Sequence, residues 1–387
     1  MANNTIVSDQ AQGLLQTCAS CAREFRAPQI LVGRAIPCPN CRRMITVAAP
    51  LARTEDRLVG REVGGCVLEK RLGSGALGVV YAAEQRSVGR KIALKMLSTK
   101  AAADPETVAR FYREAKLCAQ THHPHVVEVY DCNLDPKTKV HYLVMELVEG
   151  ATFASLIEEH GKLPWTDALA YGLQVANALS ELHRQGIIHR DIKPANILIN
   201  YDGIAKLADL GLAKQMDGGI GLTMQGVAMG SPAYMPPEQI RDAKSATPKS
   251  DLYALGASLY QAISGQLPFD GKNATEVMGR VLKEQPTPLA TLVPGLPLGV
   301  VRLVERLLAK DPARRHKDAT ALIADIETVF KAPDQAAAVA KESTPAPATA
   351  ASSATGGGWP TRRRDLIIAG VIVVVALGLV VAALLRR

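Results

Sequence analysis

The stretch IIHRDIKPANILI, residues 187–199, crowds Asp191, Lys193 and Asn196 into one short segment between two apolar runs. Eighteen residues beyond Asp191, KLADLGLAK (206–214) carries another carboxylate, Asp209, in an Asp-Leu-Gly turn that follows a further apolar run. An Asp-x-Gly turn in that setting is where a phosphoryl-transfer enzyme would hold a metal. Leu210, between the Asp and the Gly, poses the question of whether the site is intact or the chain binds without catalysing.

Upstream, LGSGALGVV sets Gly73, Gly75 and Gly78 at a turn between two strand-like runs. Glycines let a backbone approach a phosphate closely, because no Cβ blocks it and the N–H groups can point inward. A dinucleotide-binding turn should open a helix, whereas here the apolar strand VVYAAE follows. In KIALKML, alternation puts Lys95 on the face of Ala93 and Leu97, and a lysine on an apolar face needs a partner. The next helix offers one: Asp104 caps it, Pro105 takes its first position, and Glu114 falls on its buried side between Phe111 and Cys118. Such a pair can be purely structural, and that alternative stays open here. Short alternating runs dominate the first part of residues 61–331, and longer helical periods such as TDALAYGLQVANALSELHRQG, with Thr166 as expected cap and Gly186 as stop, dominate the second. An α+β pair of lobes, the smaller sheet-rich and the larger helical, is expected.

Taken in order, these stretches resemble eukaryotic-type serine/threonine protein kinases of the bacterial kind: the glycine hairpin, Lys95, Glu114, the H-R-D-x-x-x-x-N loop with Asp191 and Asn196, and Asp209-Leu210-Gly211. The resemblance covers about 70% of the chain and implies the bilobal protein-kinase fold, with ATP and Mg²⁺ or Mn²⁺ as cofactors and proteins as substrates. By the resemblance, Lys95 would contact the α- and β-phosphates and be held by Glu114. Asp191 would accept or orient the substrate hydroxyl proton, Lys193 would steady the transferring phosphate, and Asn196 and Asp209 would hold the metal. Gly73, Ser74, Gly75 and Gly78 would cover the nucleotide. Leu72, Val80, Ala93 and Leu198 would sandwich its base, with Met145 behind it and the backbones of Glu146 and Val148 as its hydrogen-bond partners. Lys193-Pro194 follows the serine/threonine branch.

This sequence departs from the family pattern at several points: Leu210 for Phe, IALK for VAIK, PPE at 236–238 for APE, and Ser231 for Thr. Glu238 is expected to pair with Arg315, and Asp251 to support the catalytic loop from behind. Arg190 suggests a basic pocket for a phosphorylated activation loop, with Thr223 as the first candidate phosphosite and Ser231 as the second. His122, His123 and His125 are read as structural, because adjacent residues of a turn seldom converge on one ion.

The formal charge is +8, but Arg362, Arg363, Arg364, Arg386 and Arg387 flank one apolar segment, and without those five the balance is +3. No basic stripe interleaved with aromatics remains, which argues against a nucleic-acid partner. The flanked segment, LIIAGVIVVVALGLVVAALL (366–385), is long enough as a helix to span a hydrocarbon layer of about 30 Å. It is expected to cross the membrane once, the triple Arg keeping everything before residue 361 cytoplasmic. No signal peptide is expected in the polar N-terminal residues. Gly370 and Gly378 lie near Ala369 and Ala376 without a strict G-x-x-x-G, so homodimerisation stays open.

Cys18, Cys21, Cys38 and Cys41 form C-x₂-C-x₁₆-C-x₂-C, a spacing suited to one Zn²⁺ in a small ribbon that needs its metal to fold. Cys66, Cys118 and Cys132 read as core residues. The expected organisation is a zinc ribbon (1–45), a join (46–60), the catalytic domain (61–331), an Ala/Pro/Ser/Gly-rich flexible linker (332–361) and the span (366–385). The leading expectation is a membrane-tethered serine/threonine kinase. Its rival is a pseudokinase scaffold that docks partners through the same fold and ribbon; loss of a charged catalytic group would favour it, and none is lost.

Overall fold

The computed structural model describes residues 14–18, 20–21, 23–27, 34–46, 56–75, 77–209 and 231–333. Leu210, Gly211, Thr223, the linker beyond residue 333 and the apolar span 366–385 lie outside the described residues. Among the described residues no helix is long and apolar enough to cross a membrane.

Two antiparallel hairpins come first, β1 (Leu14–Thr17) with β2 (Glu24–Ala27) and β3 (Ala35–Pro37) with β4 (Met44–Thr46). Each turn is closed at a cysteine: the Cys18 N–H donates to the Arg23 carbonyl at 2.9 Å, and the Cys38 N–H to that of Arg43 at 2.8 Å. One cysteine pair therefore sits in each turn.

The smaller lobe is built on a six-stranded sheet of β5 (Glu62–Val63), β6 (Cys66–Gly75), β7 (Gly78–Gln85), β8 (Arg90–Leu97), β9 (Val129–Leu134) and β10 (His141–Glu146), in the order β5-β6-β7-β8-β10-β9. One face is a core of Leu68, Tyr81, Leu94, Met96, Tyr142 and Val144. Register sets the other: Val80 opposes Lys95, Lys95 opposes Leu143, and Ala93 opposes Met145, so these side chains share the opposite face. The helices α1 (Thr99–Ala102) and α2 (Pro105–Ala119) follow β8. Asp104 caps α2 through the N–H groups of Glu106 and Thr107, and Phe111, Glu114, Ala115 and Cys118 form its buried stripe.

The three glycines of the hairpin have different reasons. A Cβ on Gly78 would lie 1.8 Å from the Met96 carbonyl oxygen, so β7 can lie against β8 only with glycine there. At Gly73 and Gly75 a Cβ would meet nothing within 4 Å. Strand packing requires the one; around the other two the space is open.

The larger lobe contains a three-stranded sheet, β11 (Gly150–Thr152), β12 (Ile197–Asn200) and β13 (Ala205–Leu207), and the helices α3 (Phe153–His160), α4 (Trp165–Arg184), α5 (Pro237–Arg241), α6 (Pro248–Ser264), α7 (Ala274–Lys283), α8 (Leu289–Leu292), α9 (Leu298–Leu307) and α10 (Ala319–Lys331). Residues on every side of α6 are buried, which makes it the central helix. It packs against α4 and α9, and Trp165 stacks on Phe330 to bring α10 to the start of α4. The expected Thr166 cap is corrected: the cap position falls two residues earlier, at Pro164, whose carbonyl accepts from the N–H groups of Asp167 and Ala168, while the Thr166 hydroxyl bonds Asp167. Gly186, at φ +75°, does close the far end.

Candidate active site

The catalytic-loop residues sit between α4 and β12, where the backbone passes under the sheet face that carries Lys95. Asp191 Oδ2 accepts from Lys193 Nζ at 2.9 Å and from Asn196 Nδ2 at 3.2 Å. Asn196 also donates to the Asp191 carbonyl at 2.8 Å. Its amide nitrogen is thereby committed within the loop, and its oxygen is the atom with capacity for a hard cation. Asp209 follows β13 at φ +55°, a left-handed conformation unusual for a residue with a side chain.

Asp209 is held in relation to Asp191 by its neighbour Ala208. The Ala208 N–H donates to the Asn196 carbonyl at 2.8 Å, and its carbonyl bonds His189 Nε2 at 3.1 Å. His189 in turn accepts the Asp191 N–H at Nδ1, 3.3 Å away. It is fully buried, and burial pushes its imidazole below the usual range, so the neutral ring with one acceptor and one donor nitrogen suits both bonds. Sequence reasoning assigned His189 no role; its place directly before Arg190-Asp191 was the available signal.

Asp251, 1% exposed at the start of α6, holds the loop from behind. Its Oδ2 accepts from the His189 N–H at 2.9 Å and from His183 Nε2 at 2.8 Å, and its Oδ1 accepts from the Arg190 N–H at 2.8 Å. The expected Glu238–Arg315 pair is bidentate at 2.6 and 2.9 Å. Arg190 lies at φ +67° beside a cavity lined in part by Asp191, Tyr234, Met235 and Asp251, with its Nε and one terminal nitrogen buried and unpartnered. Ser231 opens the short 3₁₀ turn that leads to Tyr234.

One expected pairing is corrected. Lys95 Nζ bonds Asp209 Oδ1 at 2.7 Å, and no ion pair within 4.0 Å joins it to Glu114. Burial disfavours the Lys95 cation, but the carboxylates of Asp209 and Glu114 outweigh that and raise its pKa. For Glu114 the balance falls the other way: burial, with Asp209 and Asp191 adding to it against Lys95, pushes the carboxyl up to about 7. Lys95 thus bonds the more exposed of the two carboxylates, Asp209 with its side chain 44% exposed, rather than Glu114 on the buried stripe of α2. An unfolded Glu loses its proton near pH 4.3 and the folded Glu114 only near 7, so the folded state binds more protons between those values and stability falls as the pH rises through that window. Denaturant unfolding at pH 5 and pH 8 should show Glu114→Gln gaining on wild type as the pH rises. A constant gap would mean that Glu114 does not take up a proton on folding.

The residues expected to face a nucleotide lie on or beside β6, β7, β8, β10 and β12. Leu72 is 48% exposed; Val80, Met145 and Leu198 are half-buried and Ala93 is buried. Ser74 lies opposite Val79 at the hairpin end. The Glu146 N–H donates to the Glu128 carbonyl at 2.8 Å. Its carboxylate takes Lys206 Nζ at 2.8 Å, pinning the connection between the lobes; this contact had no sequence signal. The three clustered histidines are structural: His125 Nδ1 bonds the Ala205 carbonyl, His123 Nδ1 accepts the His125 N–H, and His122 meets Glu128.

In the N-terminal hairpins the four cysteine sulfurs lie within 4.8 Å of one another, with Cys18–Cys41 at 3.5 Å and Cys21–Cys38 at 3.8 Å. None is in a disulfide. A tetrahedron with Zn–S bonds of about 2.3 Å has S···S edges of about 3.8 Å, so the donor set fits Zn²⁺. Among the described residues this is the one His/Cys/Asp/Glu cluster with metal-ligand geometry.

A lysine reaching from the sheet lobe to a carboxylate of the helical lobe, above a loop with a second carboxylate and a carboxamide, defines a phosphotransferase that works in the cleft between two lobes. The particular family is equally plain: the chain belongs to the protein kinase domain family, whose model matches residues 66–325. It is 36% identical over 276 residues to the serine/threonine-protein kinase PrkC of Bacillus subtilis, across 71% of this chain and 42% of that one. It is 38% identical over 253 residues to the serine/threonine-protein kinase PknA of Mycobacterium tuberculosis, across 65% of this chain and 58% of that one. The crystal structure of the M. tuberculosis PknI kinase domain aligns with a TM-score of 0.56 at 27% identity, over 70% of this chain and 98% of that one. The matches to PrkC and PknA span about half of those relatives' length. Residues 66–325 thus form a protein kinase domain of the serine/threonine type.

Proposed function

We propose that the whole chain is an active, membrane-tethered serine/threonine kinase, which transfers the γ-phosphate of ATP to protein hydroxyls in the cytoplasm. The observation that carries this reading is the intact polar set: Lys95 bonded to Asp209, and Lys193 and Asn196 both bonded to Asp191. A substrate hydroxyl would give its proton to Asp191, whose Oδ2 is oriented by Lys193 and Asn196. Lys193 would then face the charge building on the transferred group, and Lys95 the remaining phosphates. The Asn196 and Asp209 oxygens are hard donors suited to Mg²⁺ or Mn²⁺, which when bound would offset phosphate charge.

By the family resemblance, position 210 would only have to supply an apolar side chain, which Leu can do. A phosphate on Thr223 or Ser231 would meet the incompletely partnered Arg190 guanidinium. Residues 366–385 would anchor the chain, with the zinc ribbon and kinase domain on the cytoplasmic side. Incubating the purified chain with labelled ATP, Mg²⁺ and a generic protein acceptor tests the reading. Label on Ser or Thr supports it, and no label under either metal favours the scaffold alternative.

The ribbon carries its own expected result. Metal analysis should find one zinc per chain, and Cys38→Ser should lose it along with the order of both hairpins, because so small a unit has no other source of folding energy. A full zinc complement in Cys38→Ser would end the four-cysteine assignment.

A further inference from the structure

Asp191 can work only if its carboxylate points into the cleft, and that direction is set by the peptide unit joining it to Arg190. The conformation there is not one the chain adopts freely. Arg190 lies at φ +67°, a region that costs a side-chain-bearing residue about 1–3 kcal/mol unless the surroundings over-determine it. Its N–H is taken by Asp251 Oδ1 at 2.8 Å. That bond fixes the peptide before Arg190 and leaves the one after it free to rotate about the Arg190 ψ and Asp191 φ angles. The Asp191 N–H side of this second peptide has the long 3.3 Å bond to His189. Its carbonyl side is held by Gln239, whose Nε2 donates to the Arg190 oxygen at 3.1 Å.

Gln239 is well placed to act as a clamp. It is 7% exposed, in α5, directly after Glu238. Glu238 is locked to Arg315 and also accepts from the Ser250 hydroxyl at 2.7 Å. One residue therefore ties α5 to the body of the helical lobe, and the next reaches from it to the catalytic loop. Gln239 Oε1 is buried without a partner, so the residue makes one side-chain bond and leaves an unmet acceptor, a cost that core packing alone does not call for.

We propose that Gln239 is a positioning residue for the phosphoryl-transfer step: it holds the Arg190–Asp191 peptide against rotation and couples the Ser231–Arg241 segment to the orientation of the Asp191 carboxylate. The inference rests on the kinase reading above. It makes Gln239 act through Asp191 rather than on the nucleotide.

The test compares full-length wild type with Gln239→Met, which keeps size and loses the donor, and Gln239→Glu, which sets a carboxylate against the Arg190 oxygen. Asp191→Asn is made alone and combined with Gln239→Met. A fluorescent ATP analogue counts folded sites, and rates are expressed per binding-competent site, so a folding defect does not pass for a catalytic one. Gln239→Met should lower kcat about tenfold and leave KM for ATP within about twofold, the scale of one lost hydrogen bond. Gln239→Glu should lose at least as much. On the Asp191→Asn background, Gln239→Met should have almost no further effect, because the group it positions is gone. A wild-type kcat in Gln239→Met with wild type active, or the same tenfold loss on both backgrounds, overturns the inference and leaves the kinase reading standing. Inert wild type with full nucleotide binding overturns both.

Discussion

Asp191→Asn and Asp209→Asn should each reduce phosphoryl transfer by about 10²–10⁴-fold, the span that general-base and charge-positioning groups contribute to such reactions. The two losses should differ in kind. Asn at 191 keeps bonding capacity towards Lys193 and Asn196 but cannot take the hydroxyl proton, so nucleotide affinity should hold while kcat collapses. Asn at 209 removes the carboxylate that Lys95 bonds at 2.7 Å and leaves a cation with a 15% exposed side chain without its bonded partner. Metal-dependent nucleotide binding should weaken along with kcat, and the Lys95 pKa should fall as its raising partner disappears. Labelled-phosphate transfer and nucleotide titration, run in Mg²⁺ and again in Mn²⁺, separate the two. Equal inertness of wild type and both variants would leave a scaffold, and a wild-type rate in Asp191→Asn would remove Asp191 as the base.

Arg315→Met should be the most damaging single change to stability, by about 3–5 kcal/mol, the cost of stranding one partner of a buried ion pair. The Arg315 side chain is 0% exposed, and besides Glu238 it bonds the carbonyls of Ala309, Lys249 and Lys310, with the Tyr253 ring 4.8 Å from its guanidinium carbon. Burial pushes Glu238 up, but the bonds from Arg315 and Ser250 prevail and hold it below the usual carboxylate range. A depressed carboxyl pKa means stability that is present above about pH 4.3 and lost as the pH drops through the folded value. The wild type should therefore lose stability in acid faster than Glu238→Gln/Arg315→Met. Thermal unfolding of the single and double variants measures the pair, and the double variant should recover part of the single loss. If Arg315→Met costs less than about 1 kcal/mol, the pair does not anchor α5.

The sequence by itself determined the class of this domain. Phosphoryl transfer needs particular groups, a lysine, two carboxylates, a carboxamide and permissive glycines, and the chain order in which the fold presents them leaves a linear trace. Binary patterning likewise announced the lobes, because alternating runs and helical periods are local properties. The four cysteines were legible for the same reason: metal geometry dictates short spacings.

Only the tertiary structure decided what depends on distances through space. Lys95 and Asp209 are 114 residues apart, and whether the lysine bonds Asp209 or Glu114 turns on burial and competing charge, which no spacing encodes. Gly78 looks like Gly73 and Gly75 in the sequence, yet only Gly78 has a carbonyl where its Cβ would be. Gln239 reads as an ordinary polar residue after Glu238, and its role appears only when α5 is seen against the Arg190 carbonyl, 49 residues away in the chain. Residue types that the chemistry demands can be read along the chain, whereas the contacts that aim them form only when distant segments share one desolvated space.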